Sequence, residues 1–151
     1  MRTVIQRVGR ASVNVGDETV GSIGHGMFIL VGIEDTDTDE DILYLCHKIA
    51  ALRIFDDSDG VMNLNVSQAK GQLLVVSQFT LMASTRKGNR PSYIRASRPE
   101  TAIPMYEKFI AQLGLITGIK IETGRFGANM QIDLMADGPV TIIIDSKKRD
   151  F

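Results

Sequence analysis

Residues 27–53 read MFILVGIEDTDTDEDILYLCHKIAALR, and a change of period inside them decides the fold class. Met27 to Ile33 form a continuous apolar run, of strand length and apolar enough to be buried on both faces. From Thr38 onward the apolar residues fall at Ile42, Leu45, Cys46, Ile49 and Leu52, the spacing of one helical face. Asp39, Glu40 and Asp41 crowd the beginning of that pattern, where a helix dipole is positive. The spacing therefore predicts an amphipathic helix over 39–53 packed on a buried strand.

Upstream, the residues alternate through Val4, Gln6 and Val8 and again through Ala11, Val13 and Val15, with Gly9 marking a bulge. Gly16-Asp17 turns the chain into a second strand, and Gly24-His25-Gly26 punctuates before the buried run. These segments read as a β-meander. Downstream, FDDSDGVMNLNVSQAKG is a polar hairpin or loop with a turn signal at Asp59-Gly60. Its Asp56, Asp57 and Asp59 lack the glycine and distal glutamate spacing of a calcium loop, and no metal is expected there. QLLVVSQFTL, Gln72 to Leu81, reads as a central strand. Ser97 with Glu100 suggests a capping box for a second helix carrying Met105, Phe109, Ile110 and Leu113 on one face. Pro104 predicts a kink or a later start. Strands over 119–123, 129–135 and 140–145 complete the pattern. The expected fold is α+β, one domain over 1–151, with a mostly antiparallel, barrel-like sheet and two main helices.

Composition excludes several classes. A chain of 151 residues with 44% hydrophobic and 23% charged residues can bury its own core, and a formal net charge of −1 gives no global attraction to polyanions. Nucleic-acid contact would have to come from a local patch. The single Cys46 permits no internal disulfide and no thiolate zinc site, which favours a reducing, cytoplasmic setting. MRTVIQRV is not a signal peptide, and no apolar run approaches the ~18 residues of a membrane span.

Conventional catalytic residues are scarce. His25 lies in a turn, His47 lies beside the helix stripe, and Cys46 lies on the stripe as a small hydrophobe. Ser77 and Thr80 stand at a strand end without a histidine or carboxylate nearby in sequence. Between Met82 and Pro99, however, Arg86, Lys87, Arg90, Arg95 and Arg98 occur without one acidic residue, interleaved with Tyr93 and serines. Such a stripe suits phosphates, and it also suits a solvated basic loop. GRFGANM, Gly124 to Met130, presents Phe126 either to stack on a base or to plug the core. In ADGPVTIIID, Ala136 to Asp145, Pro139 stands at the mouth of a β-branched run that it cannot join as a donor. That is a turn before a strand, or a backbone with a task.

SQFTL (Ser77 to Leu81), KGNRPSY (Lys87 to Tyr93), GRFGA (Gly124 to Ala128) and DGPVT (Asp137 to Thr141), together with the N-terminal VIQRV, resemble the D-aminoacyl-tRNA deacylases over essentially the whole chain. The resemblance implies a cofactor-free cytoplasmic homodimer that hydrolyses the ester linking a D-amino acid, or glycine, to the terminal adenosine of tRNA, with active sites at the subunit interface. It implies that Gly138-Pro139 is a cis dipeptide reaching into the partner's pocket. Its two carbonyl oxygens would accept from the substrate ammonium and leave an L side chain colliding with backbone. Ser77, Gln78, Phe79 and Thr80 would form the catalytic strand end, with the N–H groups of Phe79 and Thr80 as oxyanion donors. Phe126 and Met130 would line an adenine pocket, Arg7 would brace the dipeptide, and Arg86, Lys87 and Arg90 would contact tRNA. Hydrolysis assisted by the ribose 2′-OH is favoured over a Thr80 nucleophile that has no base. One departure stands out: the family's Asn two residues before the glycine is Ala136 here, so Asp137 or Arg7 must supply the bracing. The competing reading is a non-catalytic homodimeric nucleic-acid-binding module.

Overall fold

The computed structural model describes residues 1–150. It contains β1 (Arg2–Val15), β2 (Glu18–Ile23), β3 (Gly26–Gly32), α1 (Asp39–Ala51), β4 (Phe55–Asp56), β5 (Met62–Leu64), β6 (Gln72–Ser77), α2 (Pro99–Thr117), β7 (Ile121–Thr123) and β8 (Gln131–Asp145). The main sheet runs β2-β1-β3-β6-β7, with β8 on β1, and β4-β5 is a separate hairpin. The long β1 is antiparallel to β2, β3 and β8. β7 packs back against β2, so the sheet nearly closes into a barrel. The α+β, barrel-like, two-helix expectation holds.

The buried apolar runs are explained by alternation. Met27, Ile29 and Val31 of β3 and Leu73 and Val75 of β6 face the helices, meeting Ile42, Leu45, Cys46 and Ile49 of α1 and Tyr106, Phe109 and Leu113 of α2. Phe28, Leu74 and Val76 point the other way, to Val8, Ala11, Val13 and Ile23 inside the barrel. Both faces of β3 and β6 are covered, which is why neither shows a polar residue at period two. That same burial accompanies parallel pairing: β3 runs parallel to β6 and β6 to β7, with α1 and α2 in the two crossovers.

Several expected boundaries move. The strand expected to run to Leu81 ends at Ser77, and Phe79–Met82 form a 3₁₀ turn. Gln78 N–H still reaches Val31 O at 2.8 Å, after which the chain folds over Gly32. A Cβ on Gly32 would lie 2.9 Å from Leu81 Cβ and 3.2 Å from Gln78 O. The expected capping box at Ser97 is not formed. Arg98 occupies the N-cap, Pro99 takes the first helical position where its missing N–H costs nothing, and the Ser97 hydroxyl donates to Asp35 at 2.5 Å. The helix begins at Pro99 and runs through Pro104, so there is no later start. Its buried stripe is Ala102, Tyr106, Phe109 and Leu113, with Met105 and Ile110 half-buried. Finally, the two strands expected over 129–135 and 140–145 are one, β8, which stays extended through Gly138 and Pro139 while its pairing skips.

Candidate active site

Parallel strands β3 and β6 end side by side, and clefts in parallel sheets form beyond such carboxyl ends. Here a cavity of about 230 Å³ opens there, lined among others by Val31, Ile33, Ser77, Gln78, Phe79, Ser97, Phe126 and Met130. The fold thus brings SQF of the first motif and Phe126 and Met130 of the glycine-bracketed loop to one cavity. Phe126 plugs the core, packing on Tyr106 with ring centroids 6.0 Å apart, and its remaining surface lines the cavity.

Among the described residues, no carboxylate, histidine, lysine or arginine lines this cavity. His25 is exposed and packs edge-on against Phe55, and His47 is exposed on α1. Cys46 is fully buried, its thiol donates to Phe109 O at 3.6 Å, and burial pushes its pKa up to about 12. Burial likewise raises the pKa of Tyr106, whose hydroxyl donates to Val75 O at 2.7 Å. What the site offers is amide and hydroxyl chemistry. Phe79 and Thr80 open the 3₁₀ turn, positions whose N–H groups have no partner within it. The Gln78 side-chain amide donates to the Thr80 hydroxyl.

The Asp56, Asp57 and Asp59 loop lies elsewhere. Asp57 Oδ1 accepts from the N–H groups of Asp59 and Val61, which holds its pKa below the usual carboxylate range. No group of three or more metal-ligating side chains occurs among the described residues.

Above the cavity rim, the segment from Ser84 to Arg98 forms a loop closed by a Ser84–Ser92 bridge. Arg95 pairs with Glu34, whereas Arg86, Lys87 and Arg90 are exposed and enter no ion pair among the described residues. The loop meets the cavity through Tyr93, packed edge-on against Phe79 with centroids 5.1 Å apart.

Gly138 and Pro139 are not brought to this cavity within the protomer. They are exposed on β8, joined by a cis peptide bond. The ladder pairs Gln6 with Thr141 and then Val8 with Ala136, so residues 137–140 bulge out opposite Arg7 alone. Gly9 takes up the next irregularity, as its sequence context suggested. Gly138 has φ +114°, and a Cβ there would lie 2.7 Å from Val140 Cγ2 and 3.2 Å from Arg7 Nη2. The buried Arg7 donates through Nη1 to Ile54 O at 2.7 Å and approaches Asp56 at 3.4 Å. Its Nε lies 2.9 Å from Asp137 Oδ2 but off the N–H axis, an ion pair rather than a hydrogen bond. With Ala136 in place of asparagine, Asp137 and Arg7 are the groups that meet at the bulge. Gln6 was not singled out by sequence, yet its side chain contacts Val140 and Thr141. Two consecutive polar residues inside an apolar strand were the available signal.

The nearly closed barrel carries its helices on one side and its cavity at a strand end, and comparison with known proteins places the chain in a class of small hydrolases. Residues 4–145 match the family model described as D-Tyr-tRNA(Tyr) deacylase, and the chain belongs to that family. Proteins called D-aminoacyl-tRNA deacylase from Akkermansia muciniphila, Parabacteroides distasonis and Porphyromonas gingivalis are 57%, 58% and 59% identical to it, covering 99% of this chain and their own full length. A solved structure titled c-Myc DNA Unwinding Element Binding Protein superposes with TM-score 0.90 at 40% identity, over 96% of this chain and 98% of that one. Another, titled as a probable eukaryotic D-amino acid tRNA deacylase, gives 0.81 at 16% identity over 95% and 97%, a likeness of fold.

Proposed function

We propose that this protein hydrolyses the ester of D-aminoacyl-tRNA, and of glycyl-tRNA, in a pocket made of main chain and completed by a second copy of itself. The observation that carries the reading is the division of the two motifs. Ser77 to Phe79 line the cavity with Phe126 and Met130, while Gly138 and Pro139 stand exposed and apart from it in the same protomer. The outer edge of β8 pairs with no strand among the described residues and leaves Leu134, Met135 and Ile143 exposed, an edge that a partner would cover.

In this reading the terminal adenosine lies against Phe126 and Met130, and the ester carbonyl faces the N–H groups of Phe79 and Thr80. One such donor supplies on the order of 3 kcal/mol to an oxyanion. The carbonyl oxygens of the partner's Gly138 and Pro139 accept from the substrate ammonium. With ammonium and carbonyl both fixed, the enantiomers send their side chains in opposite directions, and only the D form escapes the backbone. Water attacks with help from the ribose 2′-OH, which suits a cavity without a titratable side chain. The exposed Arg86, Lys87 and Arg90 hold the phosphates of the acceptor end. The enzyme works in the cytoplasm without a cofactor; no helix among the described residues is long and apolar enough to cross a membrane.

Purified protein given matched D- and L-aminoacyl-tRNA is expected to release only the D-amino acid. Replacing the terminal 2′-OH by hydrogen is expected to slow release strongly, and unaltered hydrolysis would exclude assistance by that hydroxyl. The name of the 40%-identical structure favours one rival, a nucleic-acid-binding module. Salt-dependent binding of tRNA or DNA without release of either amino acid would select it.

A further inference from the structure

Strand β1 grips the 137–140 bulge from both of its faces. Successive side chains on a strand point to opposite faces, so Gln6 and Arg7 leave β1 on opposite sides. Arg7, tied to Ile54 O, takes the leading end of the bulge through Asp137. Gln6 takes the trailing end. It stands opposite Thr141, the residue at which β8 regains register. Its Nε2 donates to Val140 O at 3.1 Å and to Arg7 O at 3.1 Å, and its Oε1 accepts from the Thr141 hydroxyl. Both donors are used, and the amide has one orientation, because a flipped group would turn its oxygen onto two carbonyls. The side chain therefore replaces ladder bonds where the ladder is interrupted, next to a proline that has no N–H to contribute.

We propose that Gln6 is a positioning residue for stereoselection: its amide sets where the main chain of Gly138 and Pro139 stands relative to the sheet, and hence where it meets a partner's pocket. The activity readout rests on the deacylase reading above; the structural readout does not. Gln6→Met keeps the length of the side chain and loses every hydrogen bond, whereas Gln6→Glu keeps the acceptor for Thr141 and loses both donors.

Both variants are expected to lower the ratio of D- to L-aminoacyl-tRNA hydrolysis about tenfold, through a higher KM for the D substrate and the appearance of L hydrolysis. Thr141→Val, which removes only the hydroxyl contact, should lower the ratio less. A purely structural role would reduce D and L rates together, in step with the folded fraction, so an unchanged ratio overturns the proposal. Crystal structures of wild type and Gln6→Met decide the clamp independently: displaced residues 137–140 support it, and superposable ones overturn it. Wild-type protein that hydrolyses neither ester ends the deacylase reading, and the displacement then stands as the sole judge of Gln6.

Discussion

The Thr80 hydroxyl receives a hydrogen bond from the Gln78 amide, and no titratable side chain among the described residues hydrogen-bonds to it. Accepting from an amide does nothing to draw off the hydroxyl's own proton, and without a base bonded to it the oxygen stays a weak nucleophile. Thr80→Ala is therefore expected to retain hydrolysis of D-aminoacyl-tRNA within about threefold in single-turnover assays. A dead enzyme that still folds and binds tRNA would reverse the choice of mechanism. Tyr106 offers the contrasting case, a buried hydroxyl with a purely structural bond to Val75 O. Val75 O also accepts from Gly124 N–H at 3.2 Å, so Tyr106→Phe leaves no orphaned carbonyl. We expect a loss of about 1 kcal/mol in urea unfolding with unchanged turnover. At this scale the sequence was a partial guide. That Ser77, Phe79, Phe126 and Met130 would meet at one cavity could be expected because short motifs carried them. Gln6 left only the weak signal of two adjacent polar residues, because the contacts that tie it to the bulge, to Val140 and Thr141, lie more than 130 positions away.

Among the elements, α1 was legible to within two residues because its stripe and acidic start agree with its end at Ala51. The capping partner was not. Asp41 accepts from Thr38 N–H at 2.8 Å and from Lys147 Nζ at 2.7 Å, tying the helix start to the C-terminal segment. Burial pushes the Asp41 pKa up, but the hydrogen bonds from Lys147, Ser146 and Thr38 outweigh it and hold the carboxyl far below its usual range. Asp145, bonded by Arg2, shifts in the same direction. A carboxyl with a depressed folded-state pKa stabilises fully above its unfolded value of about 4 and loses that stabilisation as pH falls further. The urea midpoint should be flat between about pH 5 and 8 and drop below about pH 4. Asp41→Asn should weaken the drop and cost about 1–2 kcal/mol at neutral pH. Strand β8 shows the limit of local reading. Pro139 looks like a strand start, and only β1, pairing on both sides of it, makes 131–145 one element.

For the whole molecule, the sequence announced helices, strands and near-closure but not the parallel pairings of β6, which depend on crossovers that no local period encodes. Net charge was equally silent about the site. A formal charge of −1 conceals a loop in which Arg86, Lys87 and Arg90 are exposed and enter no ion pair among the described residues, so affinity for tRNA should still fall with salt. Replacing all three by Ala should flatten the log–log slope by about 2, as expected for three contacts to a single strand. The sharper question is whether one site needs two chains. A Gly138→Ala protomer places a Cβ against Val140 and Arg7 and spoils the projection but keeps its cavity. Met130→Trp fills the cavity but keeps the projection. Each homodimer should be inactive. If the projection acts on the partner, co-refolded mixtures contain half heterodimers, each with one intact site, and recover about one quarter of wild-type activity. If it acts within its own protomer, no combination pairs an intact cavity with an intact projection, and the mixture stays inactive. Recovery near one quarter, measured as D-aminoacyl-tRNA hydrolysis per total subunit, would place the selectivity of each site in the neighbouring chain.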